Sequence, residues 1–288
     1  EAFNIEYWLL EEAKLQRMPK PKALTGKIAL ITGSAGGIGK AIAKKFVQEG
    51  ACVILNDMNE ERLGEAKAEF MKEFGRDAFV ADLLDVTKAE SIKEAFATGV
   101  LAFGGVDIVV NNAGLSISKS IEEHTEKDWD LLYDVLVKGQ FFITQQGAGI
   151  MKKQGRGGDI INIVSKNALV SGPNNAGYGS AKAAQLHLSR LNAAELGKEK
   201  IRVNVVNPDA VIAGSHIWSS GWAEGRAKAY GIKVEELPRF YADRTLLNEI
   251  ILPEDIANAC FAFVGGLLNK STGNALNVDG GVAMAFVR

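Results

Sequence analysis

Short runs of apolar residues alternate along most of the chain with longer stretches whose apolar positions recur every three or four residues. The short runs, at 28–32, 52–56, 78–81, 107–111, 159–164, 201–206 and 275–278, are apolar on both faces rather than alternately apolar and polar. That pattern belongs to parallel strands covered by helices on each side. The longer stretches, at about 38–49, 60–74, 91–103, 129–152 and 178–196, predict the intervening helices. Strand–helix alternation of this kind predicts an α/β fold: a Rossmann-like doubly wound parallel sheet of about seven strands, in a single domain over 24–288.

Two segments break the rhythm. Near the start, Ile5, Trp8, Leu9, Leu10 and Leu15 mix with Glu6, Glu11, Glu12, Lys14 and Arg17, which predicts an amphipathic helix ended by Pro19 and Pro21. Residues 1–23 therefore read as a helix and linker whose apolar stripe needs a surface to pack on. That surface is either its own domain or the remainder of a longer parent polypeptide. Later, 213–252 lacks any strand pattern and is rich in aromatic and basic residues, among them Arg226, Tyr230, Arg239, Phe240 and Tyr241. An insertion at the carboxyl end of a strand is where open α/β sheets bind ligands, so this stretch is expected to be a substrate lid. An oligomer surface uses the same residue types. His216, Trp218 and Arg244 from this stretch, with Asn167, are the candidate substrate contacts.

Composition removes several classes of function. Lys and Arg number 33 against 35 Asp and Glu, a formal net charge of -2 that offers no basic footprint for nucleic acid. Hydrophobic residues reach 47%, too many for a disordered chain. Cys52 and Cys260 are the only cysteines, which excludes a disulfide scaffold, and His124, His187 and His216 show no metal-ligand spacing. No run approaches the roughly 20 apolar residues of a membrane span. With no basic-then-apolar opening, the chain is expected to be cytoplasmic and to bind no metal.

The first strand, turn and helix carry candidate chemistry. Gly33, Gly37 and Gly39 follow the strand at 28–32 and open a helix. Glycines so placed give a tight turn, let the backbone approach a pyrophosphate, and allow close helix–strand packing. The helix start adds free amides and a positive dipole end. The second strand ends at Asp57. A carboxylate there can accept from an adenosine ribose diol and repels a 2′-phosphate, so NAD is expected over NADP.

Tyr178 and Lys182 stand four residues apart, on one face of a predicted helix. An ammonium beside a phenol favours the phenolate and lowers its pKa from about 10. The pair offers a general base for an alcohol proton. Ser165 ends the fifth strand, where its hydroxyl can bond the reacting oxygen, and Asn111, Asn112, Ala113 and Gly114 end the fourth.

Taken together these motifs resemble the short-chain dehydrogenase/reductase family over nearly the whole chain. Thr32 and the three glycines, Asp57, Asp85-Val86, Asn111 to Gly114, Ser165, Tyr178 with Lys182, and Asp279-Gly280-Gly281 fall in the family's order and spacing. The resemblance implies Tyr178 as acid/base, Lys182 as its pKa-lowering and ribose-holding partner, and Ser165 as the positioner of the substrate oxygen. It places Gly33, Ser34, Gly37, Ile38, Gly39, Asp57, Asp85, Val86, Asn112, Ala113, Gly114, Tyr178, Lys182, Pro208 and Val211 at the dinucleotide. Asp82 competes with Asp85 for the adenine position. A homo-oligomer, joined through the helices near 129–152 and 178–196, is also implied.

Three positions depart from the family. Leu136 stands where an Asn often fixes a relay water, Asp209 replaces the usual Gly after Pro208, and Ala213 replaces a Thr that often meets the nicotinamide amide. The segments 1–8, 19–24 and 136–139, with Lys166-Asn167, are similar to one subgroup. It is the C-terminal dehydrogenase domain of bifunctional rhamnulose-1-phosphate aldolase/lactaldehyde dehydrogenases. That likeness implies oxidation of L-lactaldehyde to lactate in rhamnose breakdown, beside a covalently linked aldolase domain. A secondary alcohol, polyol or ketose fits the same catalytic set. A catalytically weak NAD-binding assembly module is the reading of a different class.

Overall fold

The computed structural model describes residues 2–17, 21–215 and 222–286. Helix α1 is Ala2–Arg17, and along it Trp8, Leu9 and Leu10 are exposed, so the domain does not cover these apolar side chains. The alternating region then runs β1 (Ile28–Thr32), α2 (Gly37–Gln48), β2 (Cys52–Asp57), α3 (Glu60–Phe74), β3 (Phe79–Leu83), α4 (Ala89–Phe103) and β4 (Ile108–Asn111). It continues with α5 (Glu126–Tyr133), α6 (Gly139–Gln154), β5 (Gly158–Ile163), α7 (Ala176–Leu196) and β6 (Ile201–Pro208). Helices α8 (Trp222–Tyr230) and α9 (Leu237–Ala242) lie within the 213–252 stretch, followed by α10 (Pro253–Val264) and the last strand, β7 (Ala275–Val278).

All described strand pairs are parallel, in the order β3-β2-β1-β4-β5-β6-β7. The winding direction reverses between β1 and β4, which opens a crevice at the strands' carboxyl ends. The apolar-on-both-faces pattern of β1 is explained by two cores. Ala29 and Ile31 pack with Ile42, Phe46, Ile256 and Phe263 on one face. Leu30 joins Phe96, Ile143 and Met151 on the other. Successive side chains of a strand point to opposite faces, so each face takes alternate residues of the same run.

Several element boundaries differ from the sequence expectation, two of them for a visible local reason. The helix expected at 129–152 is two helices joined by a π-helical turn, Asp134–Lys138. It starts earlier because Thr125 and Asp128 cap it reciprocally: Thr125 Oγ1 accepts from Asp128 N at 3.2 Å and Asp128 Oδ2 from Thr125 N at 3.1 Å. Strand β3 starts one residue late because Arg76–Ala78 forms a 3₁₀ turn. Within the 213–252 stretch, α8 and α9 share a small core of Ala223, Ala227, Leu237 and Tyr241. His216 and Trp218 lie outside the described residues. Among the described residues no helix is long and apolar enough to cross a membrane, and no group of three or more His, Cys, Asp or Glu gathers to hold a metal.

Candidate active site

A cleft of about 1240 Å³ runs along the carboxyl ends of the strands. Its floor at one end is the turn after β1. Gly33 (φ +64°) and Gly37 (φ +49°) adopt left-handed backbone there. A Cβ on Gly39 would collide with the Gly33 carbonyl oxygen and the Asn112 amide, so the start of α2 lies directly against the turn. The first turn of α2 has no acidic residue. Bare backbone, a free helix start and no negative charge form a cradle that fits a diphosphate.

The neighbouring strand end is tied to this cradle. Thr32 Oγ1 accepts from the amides of Asn112 at 3.0 Å and Ala113 at 2.9 Å, while Asn112 Nδ2 donates to the carbonyls of Thr32 and Gly33, both at 3.0 Å. Gly33, Gly37, Ile38, Asn112, Ala113 and Gly114 all line the cleft. Ser34 and Gly39 do not. Ser34 is fully buried and spends its hydroxyl on Asn56, accepting from Asn56 N at 2.8 Å. Gly39 contributes packing behind the turn.

Asp57 ends β2 at the far end of the cleft, where its Oδ1 accepts from Asn59 N at 3.0 Å. Asn59 in turn caps α3 through Arg62 N at 2.9 Å, and this brings Arg62 into the cleft wall. Asp85 and Val86 line the cleft as well, with Asp85 Oδ1 held by Thr87 N at 3.0 Å. Asp82, the competing candidate, is bonded by Thr98 Oγ1 at 2.5 Å and does not line it.

At the other end stand Ser165, Tyr178 and Lys182. Ser165 Oγ accepts from Asn167 N at 3.1 Å, which caps the short turn Lys166–Ala168 and holds the serine hydroxyl on the same side of the cleft as Tyr178. Gly177 allows α7 to start tightly, since a Cβ there would strike His124. Lys182 is 5% exposed, and its Nζ donates to the Ile163 carbonyl oxygen at 3.1 Å. Burial pulls the Lys182 pKa down to about 7.

The tyrosine differs from the sequence expectation. Its side chain is half-buried and lines the cleft. Burial pushes its pKa up to about 12, opposed by the Ser165 hydrogen bond and reinforced by the Asp209 carboxylate. Lys182 Nζ sits 5.7 Å from the centre of the tyrosine ring, and burial disfavours the lysine's own charge.

Comparison with known proteins decides the family. Residues 27–217 match the family model described as short chain dehydrogenase. The chain belongs to this family. It is 45% identical over 288 residues to the uncharacterized oxidoreductase YuxG of Bacillus subtilis, a match that covers all of this chain and 42% of that protein. The chain thus spans less than half the length of that relative. It is 34% identical over 267 residues to the 3-oxoacyl-[acyl-carrier-protein] reductase FabG of Thermotoga maritima, covering 91% of this chain and 99% of that one. It is also 34% identical over 237 residues to the hydroxynaphthalene reductase-like protein Arp2 of Metarhizium robertsii, covering 82% and 87% respectively. The family uses a nicotinamide dinucleotide, and the cradle described above suits one.

Against the short-chain dehydrogenase pattern, the structure explains two departures. Leu136 falls in the π-helical turn and is fully buried against Leu132 and Ala181. Behind it a cavity of about 10 Å³ is bordered by Gln140 and Gln185, whose side-chain oxygens are buried and find no partner among the described residues. Asp209 pairs with Lys166, a residue that sequence reasoning noted only as a subgroup feature. Nothing in the structure explains Ala213.

Pro208 and Val211 line the cleft, as do Asn167 and Arg244. From the lid come also Arg226, Tyr230, Phe240 and Tyr241, with the Arg244 guanidinium 5.2 Å from the Tyr241 ring centre. Arg239 lies elsewhere, held by Asp243 at 2.5 Å and by Asn248 Oδ1 at 2.6 Å. Gly214 and Ser215 sit against Gly37, so the loop after β6 covers the glycine turn. Cys52 and Cys260 do not line the cleft.

Proposed function

We propose that the chain is an NAD-dependent dehydrogenase that oxidises L-lactaldehyde to lactate, in a protein whose other part is an aldolase of rhamnose breakdown. The observation that carries the chemistry is that Ser165, Tyr178 and, one helical turn on, Lys182 line one end of a cleft whose other end is Asp57. The Asp57 carboxylate suits the free ribose diol of NAD and repels a 2′-phosphate. The substrate choice is supported by the resemblance of 1–8, 19–24 and 136–139 to the bifunctional subgroup, and by a relative of 45% identity of which the chain spans 42%.

When bound, an oxidised nicotinamide supplies a hydride acceptor and a positive charge. Tyr178, held at about 12 by burial, needs that charge and a protonated Lys182 to ionise near neutral pH. Ser165 holds the substrate oxygen whose proton passes to Tyr178. A hydrated aldehyde presents two hydroxyls on one carbon. One loses its proton to Tyr178 as hydride leaves the carbon, and the other remains as the hydroxyl of the acid. This chemistry needs no thiol nucleophile. Self-association through α6 and α7, whose Phe141 and Leu191 are exposed, is the proposed assembly.

The test is NADH formation by the purified chain from NAD and L-lactaldehyde, with a secondary alcohol in a parallel cuvette. Turnover on the aldehyde alone is expected. Turnover on the alcohol alone would keep the family and discard the substrate. NAD binding without turnover on either would favour the assembly module. Inactivation by a thiol reagent with protection by NAD would discard the gem-diol mechanism.

A further inference from the structure

Lys166 and Asp209 form an ion pair in the wall of the cleft: Nζ and Oδ2 are 3.0 Å apart and each side chain is only 8% exposed. They arrive from two strand ends. Lys166 follows Ser165 beyond β5, and Asp209 follows Pro208, the last residue of β6. Ser165, Lys166, Tyr178 and Asp209 line the same cleft, and no hydrogen bond joins Asp209 to Tyr178, so the carboxylate stands near the reacting centre rather than on it.

A buried ion pair is weak evidence of added stability, because desolvating both charges offsets their attraction. Asp209 also stands where the family usually has glycine. Its position in a substrate cleft calls for another use. Asp209 commits Oδ2 to Lys166. Its other oxygen accepts from no described residue and is not sealed inside the protein; it borders the cleft. An ionised carboxylate only accepts hydrogen bonds, and the ion pair with Lys166 fixes this one in orientation. Because the pair is neutral as a whole, its fitting ligand is a neutral hydroxyl rather than a cation.

We propose that Asp209, held by Lys166, accepts a hydrogen bond from a substrate hydroxyl on the carbon next to the reacting one, and so selects 2-hydroxyaldehydes and vicinal diols over simple aldehydes and alcohols. The inference rests on the assignment of Ser165, Tyr178 and Lys182 as the reacting centre, and is independent of lactaldehyde as the particular substrate.

Binding tests it without turnover. Dissociation constants of 1,2-propanediol and 1-propanol are measured on the full chain loaded with reduced nicotinamide dinucleotide, where an alcohol cannot react onward. A hydrogen bond to a charged group is worth roughly a tenfold ratio or more. The wild-type chain is expected to prefer the diol by about tenfold. In Lys166→Met/Asp209→Leu the ratio falls towards one. In the exchanged pair, Lys166→Asp/Asp209→Lys, an ion pair remains but the carboxylate has moved, and the diol preference is again lost. A purely structural pair would keep the preference in the exchanged variant, and that result overturns the proposal. Equal constants in the wild-type chain overturn it without any variant. Should both double variants lose dinucleotide binding, Asp209→Asn is expected to reduce the ratio several-fold, and an unchanged ratio there is equally decisive. A diol preference without lactaldehyde oxidation would sink the substrate reading and leave this inference standing.

Discussion

Lys182 reaches past the tyrosine one turn before it and donates to the carbonyl oxygen of Ile163 at 3.1 Å. The end of β5 thus anchors the lysine, and its burial holds the amine near a pKa of about 7. An unfolded lysine titrates near 10.4. Between these values the unfolded chain binds a proton that the folded chain does not, so this group makes the cofactor-free protein more stable as pH rises from 7 towards 10. Lys182→Met removes that gain. Urea unfolding of both proteins at neutral pH and at the alkaline end of this window should show the wild-type chain gaining a few kcal/mol relative to the variant. Parallel pH responses would mean that the lysine is not buried as described.

Tyr178→Phe removes the proposed proton acceptor while leaving the ring in place. Turnover is expected to fall by about 10²- to 10⁴-fold, the usual contribution of a positioned acid/base. Dinucleotide affinity should change little, because the glycine cradle is untouched. Retained turnover on a confirmed substrate would remove Tyr178 from its role. Ser165→Ala is expected to lower turnover as well, since it removes the hydroxyl that positions the substrate oxygen.

The cofactor end yields a different test. Asp57 and Arg62 share the cleft wall, one suited to a ribose diol and the other to a phosphate. Asp57→Ser is expected to cut the preference for NAD over NADP at least about tenfold, through loss of both the diol acceptor and the repulsion. Adding Arg62→Ala should take back part of the NADP gain. The measurement is kcat/KM for each dinucleotide at fixed substrate, and an unchanged ratio in Asp57→Ser would refute the assignment.

What the sequence made legible is what is local. The glycine turn, the strand ends and the Tyr178–Lys182 spacing each depend on a few consecutive residues, and the parallel sheet shows as repeated short apolar runs. The π-helical turn escaped notice because Leu136 keeps the apolar periodicity of an ordinary helix while the backbone shifts register by one residue. Ser34 and Gly39 carried the motif yet face away from the cleft, since motif spacing does not say which side a residue presents. The Lys166–Asp209 pair was visible only as two oddities on separate strands. Their contact exists because β5 and β6 are neighbours in the sheet. The upward push on Tyr178 was missed because spacing reports a nearby ammonium but not the burial that weakens it.

The two glutamines behind Leu136 both leave a buried side-chain oxygen without a partner among the described residues, but only Gln140 also donates into a buried network. Gln140 Nε2 donates to the Gln185 backbone oxygen and to Ser189 Oγ, both at 3.3 Å, within a buried network that continues from Ser189 to Asn162 at 2.8 Å and from Asn162 to Asn111 at 2.7 Å. Removing a member of such a network leaves partners unbonded, and Gln140→Leu is expected to cost about 1–3 kcal/mol. The Gln185 side-chain oxygen is buried without a partner among the described residues, so Gln185→Leu removes an unsatisfied acceptor and should lie within about 1 kcal/mol of wild type. Thermal or urea unfolding of the two variants compares them directly. A cost for Gln185→Leu as large as that for Gln140→Leu would mean that the Gln185 oxygen is satisfied in solution. In that case the small cavity beside Leu136 holds an ordered water, which would stand close to where the family's asparagine holds one.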